Sequence, residues 1–159
     1  MNLKIIENEK PLWTLKYLEE VCKHTKSFGN DILLGANEIK NNINKGSPDI
    51  RIDILDSRCF EIYEDDNFIG DIVLVKDRNN SGEFFYDISI LIFSEYQFNG
   101  YGYKALSLFV EDEYLDELPI EAFIRKENPF FNVIKNILLK VGFLETEDKQ
   151  VLVYNKLTI

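Results

Sequence analysis

Between Glu83 and Arg125 the apolar pattern changes period twice, and this restricts the fold more than any other stretch. Glu83 to Phe93 alternates as a strand and ends in the apolar segment Asp87-Ile88-Ser89-Ile90-Leu91-Ile92-Phe93. A turn bearing Gly100 and Gly102 follows, and then an amphipathic helix with Tyr101, Ala105, Leu108 and Phe109 on one face. Pro119 to Arg125 returns to alternation, with Ile120, Ala122 and Ile124 on one side. Strand, crossover helix and strand imply one parallel pair. The turn has a chemical implication as well. Glycines let a backbone approach a ligand closely. A helix start offers unpaired N–H groups and the positive end of the dipole, which suits a phosphate.

The rest of the chain supplies the partners of that unit. Leu3 to Ile6 reads as a short strand, and Pro11 to His24 as a helix with Pro11 in its first turn. A second helix is expected over Ala36 to Asn44, ending before Gly46. Phe60 and Ile62 alternate with Glu61 and Tyr63, as in a half-buried strand. Phe68 to Val75 returns after a turn at Asp65 to Asn67, and Gly70 within it marks a bulge or a close backbone approach. Phe130, Ile134, Ile137 and Val141 trace a further helix that Gly142 ends, and Gln150 to Leu157 reads as the last strand. The order is β-α-α-β-β-β-α-β-α-β, with an optional short strand before the last.

Length and composition narrow the classes of function. The 159 residues fit one domain, 1–159, and 45% apolar with 29% charged residues is a globular balance. No apolar run reaches the roughly 18–20 residues of a membrane span. The start, Met1 to Glu7, lacks the apolar core and cleavage site of a signal peptide, so the chain reads as cytoplasmic. Cys22, Cys59 and the single histidine, His24, give no metal-ligand spacing, so no metal is expected. A net charge of −10 disfavours nucleic acid and favours cationic partners such as amines.

Four features now coincide in order. Gln97-Phe98-Asn99-Gly100-Tyr101-Gly102 resembles the Gln/Arg-x-x-Gly-x-Gly/Ala motif of the GCN5-related N-acetyltransferase (GNAT) family. Ser94-Glu95-Tyr96-Gln97 resembles the lead-in seen in its ribosomal-protein N-terminal and polyamine acetyltransferase subgroup. Phe68-Ile69-Gly70-Asp71-Ile72 is similar to its "Ile-Gly-x-Ile" strand, and Lys140-Val141-Gly142-Phe143 to the "Lys-Leu-Gly-Phe" that closes the next helix. The likeness covers Arg58 to Phe143 well and the N-terminal third by element order alone.

The resemblance implies an α/β (α+β) fold, with a mixed, mostly antiparallel central sheet and helices on both faces. It implies acetyl-CoA as acyl donor and a primary amine as acceptor: a protein N-terminus, a polyamine or another small amine. The backbone N–H groups of Phe98, Asn99, Gly100, Tyr101, Gly102 and Tyr103 would hold the pyrophosphate, in a loop that carries neutral Gln97 and Asn99 and has Lys104 as its only nearby cation. The edge of Ile90, Leu91 and Ile92 would pair with the pantetheine amides, as an added strand does. Asp87 occupies the place where many relatives carry a strand Glu and is the candidate base, on one face with Ser89. Two positions depart from the family pattern. Leu138 stands where many relatives have a Tyr acid, which leaves Tyr101, Tyr103 or an unassisted thiolate. Asn128, the candidate CoA-contacting Asn, is displaced by a few residues and could instead be an N-cap. A non-catalytic acyl-CoA-binding sensor or scaffold of the same fold is the alternative. Homodimerisation is common among such folds, but no heptad or exposed apolar run marks it here.

Overall fold

The computed structural model describes residues 2–8, 10–46, 50–51, 56–111 and 115–155. Residues 47–48 and 156–157, covered by the expected break and last strand, lie outside them. The strands are β1 (Leu3–Asn8), β2 (Leu12–Trp13), β3 (Ile50–Arg51), β4 (Ser57–Glu64), β5 (Asn67–Arg78), β6 (Phe84–Ile92), β7 (Ile120–Phe123), β8 (Leu144–Glu145) and β9 (Val151–Tyr154). The helices are α1 (Leu15–Lys23), α2 (Asn30–Asn44), α3 (Tyr101–Val110) and α4 (Phe131–Val141). Seven strands form one sheet in the order β1-β4-β5-β6-β7-β9-β8, and β2 pairs with β3 apart from it. The pairing is antiparallel except between β6 and β7, as the crossover demanded.

Alternation along the central strands assigns each face a core. Phe60 and Ile62 of β4, Ile72 and Leu74 of β5 and Ile92 of β6 pack with Ala105 and Phe109 of α3 and Leu138 of α4. Leu91 and Phe93 pack on the opposite face with Leu18 and Val21 of α1 and Ala36 of α2. Helices therefore cover both faces. On α3 the buried residues are Ala105, Leu106 and Phe109, whereas Leu108 is only half-buried.

Several boundaries differ from expectation. The Thr14 hydroxyl accepts from the Tyr17 N–H, so α1 starts at Leu15, and Pro11 precedes the short β2 rather than opening the helix. Helix α2 starts at Asn30, a turn and a half before Ala36, because Gly35 is accommodated within it. Strand β4 is not half-buried. Glu61 is buried along with Phe60 and Ile62, because α1 covers the second face. Gly70 does mark both a bulge and a close approach: the register shifts beside it, and a Cβ there would lie 2.0 Å from the Leu91 carbonyl oxygen. Gly142 ends α4 at φ +116°.

Candidate active site

The turn after β6 is shaped by its own side chains. A single 3-10 turn, Ser94–Tyr96, leads to Gln97, whose Nε2 donates to the Ile92 carbonyl at 2.7 Å. Asn99 Nδ2 donates to the Gln97 carbonyl at 3.0 Å. Gly100, at φ +81°, is the N-cap of α3, and no side chain caps it. Lys104 N–H donates to the Gly100 carbonyl at 3.0 Å, so the N–H groups of Tyr101, Gly102 and Tyr103 precede the helical ladder. Gln97 and Asn99 thus act within the loop, while outward-facing donors come from backbone. Lys104 is exposed beside them.

Strands β6 and β7 pair only at Tyr86↔Ile120 and Asp87↔Glu121. Past that point β7 pairs with β9 alone among the described residues, so the edge of β6 from Ile88 onward borders a cleft. Ile90 is half-buried there, and the side chains of Leu91 and Ile92 are buried. Because the two strands are parallel, the chain leaves both at the same end of the sheet. The glycine turn flanks the cleft mouth on one side and residues 124–131 flank it on the other. Asn128 does not cap α4; Phe130 is the N-cap, and Pro129 precedes the helix. Asn128 Oδ1 accepts from the Phe130 N–H at 2.9 Å, and its Nδ2 has no partner among the described residues.

Asp87 stands at the closed end of the cleft, beside Glu121 in the parallel pair. Both carboxyls are pushed above the usual carboxylate range. For Asp87 the cause is desolvation and then Asp77; for Glu121 it is desolvation and then Asp87. Asp87 and Ser89 share an exposed face, as their spacing required. Glu121 escaped notice in the sequence because nothing local marks which residue of β7 falls opposite Asp87.

The alternative proton donors separate. Leu138 is 3% exposed and packed in the core, so that position supplies no acid. Glu64, at the end of β4, raises the Tyr101 hydroxyl above its ordinary pKa, and the Tyr101 ring meets Tyr96 edge-on. Tyr103 is exposed at the outer side of α3. A second acidic group was hidden in the sequence. Asp71 and Glu61 lie directly opposite each other on β5 and β4 and are 1% and 2% exposed. Asp71 accepts from the Tyr17 hydroxyl at 3.0 Å, and Glu61 accepts from Asn8 at 2.6 Å and Tyr63 at 3.1 Å. Burial raises Asp71 to about 7. The available signal was that Asp71 interrupts an apolar run, Phe68 to Val75, which reads as a strand buried on both faces.

This fold is that of the GNAT N-acetyltransferases. An acetyltransferase of the GNAT family from Streptococcus pneumoniae superposes with a TM-score of 0.57 at 20% identity, over 96% of either chain. The N-acetyltransferase PseH of Campylobacter jejuni, solved in complex with acetyl coenzyme A, gives 0.56 at 12% identity, over 98% of this chain and 99% of that one. The spermidine N-acetyltransferase of Vibrio cholerae, solved with CoA and spermine, gives 0.54 at 17% identity, over 95% and 91%. Neither a family model nor a curated protein matches the sequence.

Proposed function

We propose that this protein is an acetyl-CoA-dependent N-acetyltransferase acting on a primary amine. The observation that carries this reading is the cleft between β6 and β7, open along one strand edge and ending at a helix start with unpaired N–H groups. An extended arm bearing amides fits the strand edge, and a pyrophosphate fits the N–H groups of residues 98–103. The free Nδ2 of Asn128 adds a donor at the other wall. Two proteins of the same fold were solved with acetyl coenzyme A or with CoA and spermine, which supports the choice of donor.

In this reading the amine nitrogen attacks the thioester carbonyl carbon. The C–N bond forms, the C–S bond breaks and the thiolate leaves. Asp87, directly or through water, takes the proton that the amine gives up. Its raised pKa brings it nearer to the pH at which it works. Asp87→Asn should lower the rate at neutral pH far more than it weakens CoA binding, and an unchanged rate would remove Asp87 from the mechanism. Calorimetry with acetyl-CoA and CoA tests the donor, and absence of binding at high micromolar ligand would refute it. The acceptor is a protein N-terminus, a polyamine or another small amine. The net charge of −10 favours a cationic one.

The buried Leu138 favours a second reading, a non-catalytic acyl-CoA-binding module, because no side chain at that position can protonate the thiolate. Thiol release above background with any amine in a panel rejects it.

A further inference from the structure

Phe98 is an anomaly within the glycine turn. Its backbone sits at φ +62°, a region that bulky L-residues avoid. The residue is 73% exposed, so burial does not offset that strain. The ring does have one partner. Phe130 meets it at 5.2 Å between centroids with the planes inclined by 62°, an edge-to-face contact that leaves ring face open on Phe98. Phe130 is itself held at the opposite wall, through its N–H to Asn128 Oδ1. The two rings therefore join the turn after β6 to the turn after β7 across the cleft mouth.

We propose that Phe98, supported edge-on by Phe130, is the stacking platform for the purine ring of the donor, and that it sets a preference for full CoA over shorter pantetheine thioesters. The inference rests on the donor reading above. If the extended arm lies along β6 and the phosphates on the N–H groups of the turn, the nucleoside has to continue past the end of the sheet. Phe98 is the exposed aromatic ring at that place. A purine offers a flat π surface, and stacking on an aromatic side chain suits any orientation about the ring normal. Strain at a functional turn is the usual setting for a side chain held where folding alone would not put it. Phe130 is a positioning residue here: it fixes the Phe98 ring and does not touch the purine.

Phe98→Gly provides the test, because glycine adopts positive φ without strain and so preserves the turn. Calorimetry would compare CoA with 4′-phosphopantetheine on the wild type, on Phe98→Gly and on Phe130→Leu. The expected result is that Phe98→Gly weakens CoA roughly tenfold or more, leaves 4′-phosphopantetheine unchanged and melts no lower than the wild type. Phe130→Leu should give a smaller loss of the same selectivity. Unchanged CoA affinity in Phe98→Gly overturns the proposal. Equal weakening of both ligands also overturns it, since the ring would then act only on the turn. Should Phe98→Gly fold poorly, Phe98→Asn, which also tolerates positive φ, gives the same comparison. A wild type that fails to bind CoA refutes the donor reading itself, an outcome separate from either of these.

Discussion

Asp71 is bonded to a tyrosine hydroxyl, with Glu61 as its cross-strand neighbour, and burial raises it to about 7. In the unfolded chain it would ionise in the ordinary carboxylate range. Between that range and pH 7 the unfolded state has lost the proton and the folded state keeps it. Stability therefore falls with rising pH across that window, by up to about 1.4 kcal/mol per unit from this group. Asp71→Asn should flatten the slope, melting several degrees above the wild type near pH 8, with the gap narrowing steadily as pH falls toward the ordinary carboxylate range, as read by thermal denaturation. A wild-type melting temperature independent of pH between 5 and 8 would contradict this. At the neighbouring position the constraint is steric. Gly70→Ala places a Cβ 2.0 Å from the Leu91 carbonyl oxygen, and backbone cannot yield cheaply. A loss of roughly 2–4 kcal/mol is expected in denaturant unfolding. The glycine was legible, because only a bulge or a close approach explains it inside an apolar strand. The environment of Asp71 was not, because it depends on which helix lands on the second face of the sheet.

At the scale of elements, α1 is fastened to the segment that leads into the glycine turn. Ser94 Oγ donates to Glu20 at 2.6 Å, and Lys16 pairs with Glu95. Burial tends to raise Glu20, but the bonds from Ser94 and the charges of Lys23 and His24 outweigh it and hold the carboxyl below its usual value. His24 is the C-cap of α1, with Nε2 3.6 Å from Glu20. Ser94→Ala leaves that buried carboxylate without its hydroxyl donor, and a cost of about 1–3 kcal/mol is expected. Hydrogen exchange should show the loss concentrated in α1; protection unchanged there would argue against the tie. Period and turn chemistry made the central strands, α3 and α4 readable, because each pattern is set within its own segment. Helix starts were less so. Thr14 and Pro11 both carry start signals, and the pairing of Leu12 with Arg51, distant in sequence, decided between them. Likewise, Asn128 and Pro129 suggested a cap and a first turn, but the chain makes one more turn before α4 begins.

At the scale of the whole molecule, a ligand that binds only the folded state raises its stability by about 2.7 kcal/mol at one hundred times its dissociation constant. For a chain of this length that is roughly 5–11 °C in the melting midpoint. CoA should produce such a shift, and inorganic phosphate at equal concentration should not; equal shifts would leave only a generic anion site. The acidic surface adds a kinetic expectation: turnover of a cationic acceptor at low concentration should fall as salt rises. The two-pair contact of β6 with β7 has a mechanical consequence too. It divides the sheet into leaves, β1-β4-β5-β6 and β7-β9-β8, joined by a seam much shorter than the ladders of the larger leaf and shorter than that between β7 and β9. A donor whose amides bond along the β6 edge would lengthen that seam from outside the polypeptide. Cofactor loading would then stiffen the protein as a splint does, and amide exchange in the smaller leaf, far from any phosphate, should slow with it.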